Sequence, residues 1–300
     1  MSSQSVVHII SKNWNSEKKE AFENIQDKYG FKVLERVQLS QSENPFCEEW
    51  VLDCELEKTD EIRALADELD VDINIQNINN YNVKKKLIAF DMDSTLIQAE
   101  VIDELARAAG VYEEVRAITE SAMNGEIDFQ QSFIKRVSKL EGLSENVMSD
   151  IAQELPIMSG AKTLCKTLKD QGYILVILSG GFDYFANYLS KVLGIDTYFT
   201  NKLEIVDGKL TGKHKGVIVD ADKKAEYLIS LAKKHEFDLD ECIAVGDGAN
   251  DLKMIAKAGL GIAYHAKPIV RKQAGCSLNQ CGLESVLYLL GLNERNFKDV

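Results

Sequence analysis

Two aspartates, Asp91 and Asp93, follow the apolar run Leu87-Ile88-Ala89-Phe90, with Ser94 and Thr95 directly behind them. The run reads as a short buried strand bounded by polar residues. An open α/β sheet binds its ligands beyond the carboxyl ends of such strands. Side chains two apart on an extended segment point the same way, so both carboxylates can address one site. Held that close they repel, and one keeps its proton unless a cation or hydrogen-bond donors intervene. A hard divalent ion such as Mg²⁺ resolves the conflict, because it takes oxygen ligands and keeps several waters. The competing reading is an Asp-rich turn capping a helix, for which Ser94 would also serve.

Three further polar clusters sit where chemistry could use them. Ser179-Gly180-Gly181 offers a hydroxyl and backbone N–H groups at the start of a helix, an arrangement suited to an anion. It reads equally as a flexible strand-to-helix turn. Asp247 and Asp251 lie four apart in the glycine-rich stretch Gly246-Asp247-Gly248-Ala249-Asn250-Asp251. One could ligate a metal directly and the other through water, with Asn250 holding a neighbour; ordinary helix capping is the alternative. Lys224, near the start of a helix, could neutralise both a phosphate and a nucleophile, or could be a solvated surface charge. The order of the four clusters ties them to one mechanism more firmly than any one of them does.

The chain that must position these residues has 300 amino acids, enough for about two domains. A net charge of −13 argues against nucleic acid or an anionic membrane as partner. A phosphorylated substrate remains compatible, since a local cation and a metal outweigh a distant field. The apolar runs all fall well short of the ~20 residues that cross a bilayer, and the N-terminus has no signal-peptide pattern. Six cysteines include no CxxC pair and no histidine at zinc-finger spacing. Cys165 and Cys242 fall in apolar patterns. A cytoplasmic, reducing location is expected.

Residues 1–82 read as a separate α+β unit. A strand at 6–10 precedes a helix that begins at Ser16 and is stopped by Gly30. Alternating strands at 31–39 and 49–56, a helix at 60–69 and a strand at 71–78 complete a βαββαβ, ferredoxin-like order. The unit resembles ACT-like regulatory or dimerisation modules, although its first strand-helix turn has no glycine to admit a ligand. A homodimer through this unit is the expected role, and 79–82 is the expected linker. From Lys84 onward strands and helices alternate, which predicts a Rossmann-like parallel sheet with helices on both faces (83–98 and 157–300). Between them, 99–156 carries four helical stretches, 100–109, 113–123, 128–140 and 144–155, expected to form a cap inserted after the first strand. On the third, Phe129, Phe133, Val137 and Leu140 make one stripe, with Arg136 on its margin facing the lower domain. Beyond the cap come a helix at 160–171, a strand at 173–178 and a helix at 182–193. A hairpin of strands at 203–206 and 209–212 then turns on Asp207-Gly208. It is followed by a helix at 223–234, strands at 242–245 and 260–263, helices after 267 and 283, and a polar tail expected to fray.

The four clusters together resemble the motifs of the haloacid dehalogenase superfamily, and within it the branch acting on phosphoserine. The resemblance covers residues 86–290, including the place and size of the cap. It implies that Asp91 is the nucleophile that becomes an aspartyl-phosphate, and that Asp93 is the acid that protonates the leaving alkoxide and then the base that activates water. It also implies Mg²⁺ on Asp91, the backbone carbonyl of Asp93 and Asp247, with Asp251 in support. Ser179, Gly180 and Lys224 would hold the phosphoryl oxygens beside Asn250. The Lys-Ala-x-x-Leu frame selects Lys224 over Lys223. Glu100, Met123, Phe129 and Arg136 stand where that branch recognises its substrate, Arg136 forking onto a carboxylate and Glu100 meeting an ammonium group. The second aspartate favours a phosphatase, because an alkoxide leaving group needs an acid and a halide does not. The expected substrate is a small phosphorylated amino acid, and the expected reaction is the last step of serine biosynthesis. Two other readings stay open: phosphotransfer to an alcohol such as homoserine, and an amino-acid sensor on an inactive scaffold.

Overall fold

The computed structural model describes residues 4–57 and 59–298. The chain begins with β1 (Ser5–Ser11), α1 (Ser16–Tyr29), β2 (Val33–Gln38), β3 (Phe46–Leu52), α2 (Asp60–Glu68) and β4 (Asp72–Asn77). These strands form an antiparallel sheet in the order β2-β3-β1-β4. One face packs under α1 and α2 through Val7, Ile9, Phe22, Trp50, Ile62 and Ile73. Thr59 starts α2 by accepting a hydrogen bond from the Ile62 N–H on its hydroxyl (3.3 Å), and Gly30, at φ +66°, ends α1.

The opposite face of this sheet is covered by the rest of the chain. β4 alternates apolar and polar as expected, yet Asp72, Asn74 and Gln76 are all buried. Asn74 exchanges hydrogen bonds with the backbone of Ser277 (2.7 and 3.0 Å), and the Gln76 amide donates to the Leu289 carbonyl (2.9 Å). The Asp72 carboxylate accepts from the backbone N–H groups of Asn279 and Gln280 and from the Asn279 amide. The segment expected as a linker forms a helical turn, α3 (Ile78–Tyr81), capped by the Asn77 side chain. Buried Lys85 fastens this turn by donating to the carbonyls of Asn80 (3.0 Å) and Asp240 (2.7 Å).

After β5 (Leu87–Phe90) come α4 (Val101–Ala109), α5 (Tyr112–Met123), α6 (Phe129–Ser138), α7 (Asn146–Glu154) and α8 (Ala161–Asp170). They are followed by β6 (Ile174–Phe182), α9 (Asp183–Leu193), β7 (Thr197–Val206), β8 (Lys209–Lys215), α10 (Ala221–Lys234) and β9 (Cys242–Gly246). Then come α11 (Leu252–Lys257), β10 (Leu260–Tyr264), α12 (Pro268–Gln273) and β11 (Cys276–Leu278), and the helix expected after 283 forms as the tighter 3-10 segment Leu283–Leu290. The seven strands from β5 on run in the order β11-β10-β9-β5-β6-β7-β8, parallel apart from β8. β5 lies at the centre, and its four residues divide by parity. Ile88 and Phe90 enter one hydrophobic layer, Leu87 and Ala89 the other. Both faces are therefore covered, which is why the strand reads as an unbroken apolar run.

Three features depart from the sequence reading. β6 does not stop at Leu178 but continues through Ser179-Gly180-Gly181 to Phe182. β7 begins at Thr197, six residues before the hairpin strand expected at Leu203. Its first half pairs with β6, a long-range contact that no local turn signal announces. The C-terminal tail is tied down as far as Lys298: Glu294 donates its N–H to the Leu39 carbonyl (2.8 Å), and Lys298 donates its N–H to the Thr167 hydroxyl (2.9 Å). Residues 299 and 300 lie outside the described residues. The helices α4–α7 are joined to the β7–β8 hairpin by backbone bonds: Gly142 N–H to Leu210 carbonyl, Leu210 N–H to Leu143 carbonyl and Glu145 N–H to Gly208 carbonyl, all 2.8–3.0 Å.

Candidate active site

Asp91 continues the sheet by one residue, its N–H donating to the Val245 carbonyl of β9 (2.9 Å). This places its side chain at the carboxyl end of the central strand, where it is only 4% exposed. The chain then folds back sharply. Ser94 takes φ +57°, and the N–H groups of Leu96 and Ile97 both reach the Met92 carbonyl. The turn aims Asp93 at the start of α4, where its Oδ1 accepts from the Val101 N–H (3.1 Å). Ser94 donates its hydroxyl to Glu100 Oε1 (2.8 Å). β6 must pass very close to this turn. A Cβ on Gly181 would lie 2.4 Å from Met92 Cε and 2.7 Å from Asp93 Oδ2, so no larger residue fits without displacement.

Beneath Asp91 lies a fully buried lysine. Lys224 Nζ is 2.9 Å from Asp91 Oδ1 and 2.7 Å from Asp251 Oδ1. Asp251 turns its other oxygen to the Gly248 N–H (3.0 Å). α10, which carries Lys224, is capped by Asp220, whose carboxylate accepts from the Lys223 N–H (3.0 Å). Neighbouring Lys223 turns outward to Glu226, whereas Lys224 pairs with Asp91 and Asp251. The Asn250 amide approaches Asp91 Oδ2 (3.4 Å), and the Thr95 hydroxyl reaches Asp247 Oδ1 (3.5 Å).

Above these groups opens a cavity of about 380 Å³. Asp91, Asp93, Asp247, Asn250, Ser179 and Gly180 line it from the sheet side, and Glu100, Phe129 and Arg136 from the helical insertion. Met123 also lines it, at 67% exposure on the rim. Of the residues singled out in the sequence, Lys224 and Asp251 alone stay off its wall, behind Asp91. Ser179 is buried and accepts the Gly181 N–H on its hydroxyl (3.0 Å), so the Gly181 donor is already engaged.

Charge is crowded here. Burial, then the charges of Glu100 and Asp91, push Asp93 well above the usual carboxylate range, which favours its protonated form. Burial, then Asp91 and Asp251, raise Asp247 to about 7. Burial and Asp91 raise Asp251 to about 7 against the opposing pull of Lys224. Burial works to lower Lys224, but Asp251 and Asp91 outweigh it and keep the ammonium charged. Burial raises Glu100 too, aided by Asp91 and Asp103 and opposed by the Ser94 hydrogen bond and Arg136. One lysine thus faces three carboxylates, those of Asp91, Asp247 and Asp251, with oxygens all within 4.8 Å of one another. A hard oxygen donor set with excess negative charge fits a divalent cation.

The sequence profile of the haloacid dehalogenase-like hydrolases matches residues 85–259. The chain belongs to this family. A relative of this hydrolase from Schizosaccharomyces pombe, a probable phosphoserine phosphatase, is 49% identical over 233 residues, 76% of this chain and 78% of its own. A HAD family hydrolase from Salmonella enterica serovar Typhi superposes with a TM-score of 0.85 at 32% identity, over 96% of this chain and 98% of its own. A probable phosphoserine phosphatase from Vibrio cholerae gives a TM-score of 0.77 at 37% identity, over 98% and 88%. Both superpositions take in the N-terminal sheet as well as the hydrolase core.

Several polar residues at or beside the site escaped the sequence reading, among them Ser132 and Thr119 on the cavity wall and Asn201 behind it. Asn201 on β7 is 1% exposed, donates to the Gly180 carbonyl (2.7 Å) and accepts from the Val219 N–H (2.8 Å). It links the β6 end to the segment leading into α10, the helix of Lys224. An asparagine inside a strand of aromatic and β-branched residues was the available signal, and it required seeing that β7 starts at Thr197. Among the described residues, no helix is long and apolar enough to cross a membrane.

Proposed function

We propose that this hydrolase cleaves O-phospho-L-serine to L-serine and phosphate, with Mg²⁺, through a phosphorylated Asp91. The observation that carries the reading is the composition of the cavity above Asp91. Its sheet side presents Asp91 with a second carboxyl two residues away whose proton affinity burial raises, and its helical side presents Glu100 and Arg136. An amino acid bearing a phosphate needs that set: a phosphoryl acceptor, an acid for the alkoxide, an anion for the ammonium group and a guanidinium for the carboxylate. Relatives carrying the name phosphoserine phosphatase support the same choice.

The chemistry follows from where each group stands. A carboxylate oxygen of Asp91 attacks phosphorus in line as the bond to the serine oxygen breaks, splitting one hard displacement into two. Asp93 gives its proton to the departing alkoxide and then takes one from the water that hydrolyses the aspartyl-phosphate. Lys224 holds Asp91 in place from behind and offsets negative charge as the phosphoryl group arrives. Ser179 and Gly180 frame the phosphoryl oxygens from β6. Asp91 and Asp247, with the backbone of Asp93 and with Asp251 beside them, could hold Mg²⁺, which when bound offsets the repulsion between nucleophile and phosphate. The insertion that carries Glu100 and Arg136 keeps bulk water from the first step.

Phosphate release from L-phosphoserine, phosphothreonine and sugar phosphates, measured with Mg²⁺ and with chelator, tests the reading. Phosphoserine should be preferred by at least about tenfold in kcat/KM, since a hydrogen-bonding site rejects substrates that leave its polar groups unpaired. Activity should vanish with chelator. Equal turnover across the panel would overturn it.

A further inference from the structure

Building on the phosphoserine reading, we infer that Ser132 is a substrate-binding residue whose hydroxyl donates a hydrogen bond to the substrate carboxylate beside Arg136. Ser132 lies on α6, is 1% exposed and lines the active-site cavity. Its hydroxyl has no hydrogen-bond partner among the described residues, and neither does Nε of Arg136.

That condition is unusual for a hydroxyl on a helix, because serine and threonine there commonly bond back to a carbonyl of the preceding turn. This protein does so nearby. The Thr119 hydroxyl donates to the Val115 carbonyl (3.1 Å), and the Ser138 hydroxyl to the Lys135 carbonyl (2.8 Å). At Ser132 the Asp128 carbonyl receives only the backbone N–H (2.9 Å), and the side chain is spent on nothing. A buried hydroxyl without a partner opposes folding. An alanine would avoid that and favour the helix.

Geometry says what the missing partner is. Positions four apart share one helix face, so Ser132 and Arg136 present their unpaired donors to the same part of the cavity. Phe129 and Phe133 flank them, and the aromatic surroundings strengthen any charge-assisted bond made there. Glu100 lines the same cavity and acts electrostatically on Arg136. An α-amino acid offers an ammonium group to Glu100 and two carboxylate oxygens to Arg136 and Ser132. The Ser132 hydroxyl therefore reads the carboxylate, the group that separates phosphoserine from phosphoethanolamine.

The test compares kcat/KM for O-phospho-L-serine and O-phosphoethanolamine in the wild type and in Ser132→Ala, with thermal unfolding of both proteins as a fold check. The wild type should prefer phosphoserine. In Ser132→Ala the phosphoserine-to-phosphoethanolamine ratio should fall by about tenfold, mostly through KM, as expected for one lost bond to a charged group. Ser132→Cys, nearly isosteric and a weaker donor, should fall between. A ratio that stays within twofold of wild type in both variants overturns the role of Ser132 while leaving the phosphoserine reading intact. A wild type with no preference for phosphoserine overturns both.

Discussion

Asn74, on β4, and Asp91, one residue past the end of β5, are both buried polar residues, and the protein treats them in opposite ways. At the junction of the N-terminal sheet with the core, polar groups meet partners of matching character. Asn74 uses both ends of its amide on Ser277, and Asp72 takes three N–H donors. His8 Nδ1 and the Nε atoms of Arg63 and Arg271 lack partners, yet each side chain makes a bond elsewhere, to Glu49, Asp60 and Asp67. At the carboxyl end of β5 the balance is left uneven. Carboxylates outnumber cations, proton affinities are displaced, and Ser132 Oγ and Arg136 Nε have no acceptor among the described residues. The first region spends its polar groups on holding two sheets together. The second leaves them unspent, where a substrate and a cation can complete them.

If that contrast is right, substitutions in the two regions should separate activity from stability. Asp91→Asn should lower kcat by at least about 10⁴-fold, because it removes the proposed nucleophile. Melting of the chelator-treated variant should be no lower than wild type, since one crowded charge is gone; a large drop would make the cluster structural. Asn201→Ala probes the margin of the second region. It should cost about 10–100-fold in kcat/KM through the Gly180 segment. Asn201→Asp, which can still accept from Val219 but cannot donate to Gly180, should not restore the rate. Asn74→Ala should cost about 2–3 kcal/mol in urea unfolding by stranding two buried backbone groups, with kcat/KM within about twofold of wild type.

The smallest effect concerns pH. Burial tends to raise Glu49, but hydrogen bonds from His8 and Tyr81 prevail and hold its carboxyl below the usual range. A carboxylate lowered on folding stabilises the folded state above its unfolded pKa, and that contribution is lost as pH falls through the folded value. The melting difference between wild type and Glu49→Gln should therefore be greatest near neutral pH and shrink on acidification. A difference that grows in acid would reverse the assignment.

Much of the hydrolase core was legible because its signals are short-range. The Leu87–Phe90 run ending at Asp91, the helical spacing of the insertion and the Lys224 frame each depend on a few neighbouring residues. Gly180 and Gly181 misled for the same reason: adjacent glycines read as a turn, whereas here they let β6 continue past Met92 and Asp93 at close range. The alternation of β4 was read correctly, but not that its polar side would meet a second sheet.

Residue order by itself determined which groups could do chemistry, that they follow strand ends, and that a helical insertion follows the first core strand. Tertiary structure alone decided that Lys224 stands behind Asp91 off the cavity wall, that Asn201 holds Gly180, and that the Ser132 hydroxyl finds no partner among the described residues. Those outcomes depend on atoms brought together from distant parts of the chain. Whether a buried polar group is paired or left waiting is a property of its neighbours in space, which local periodicity does not record.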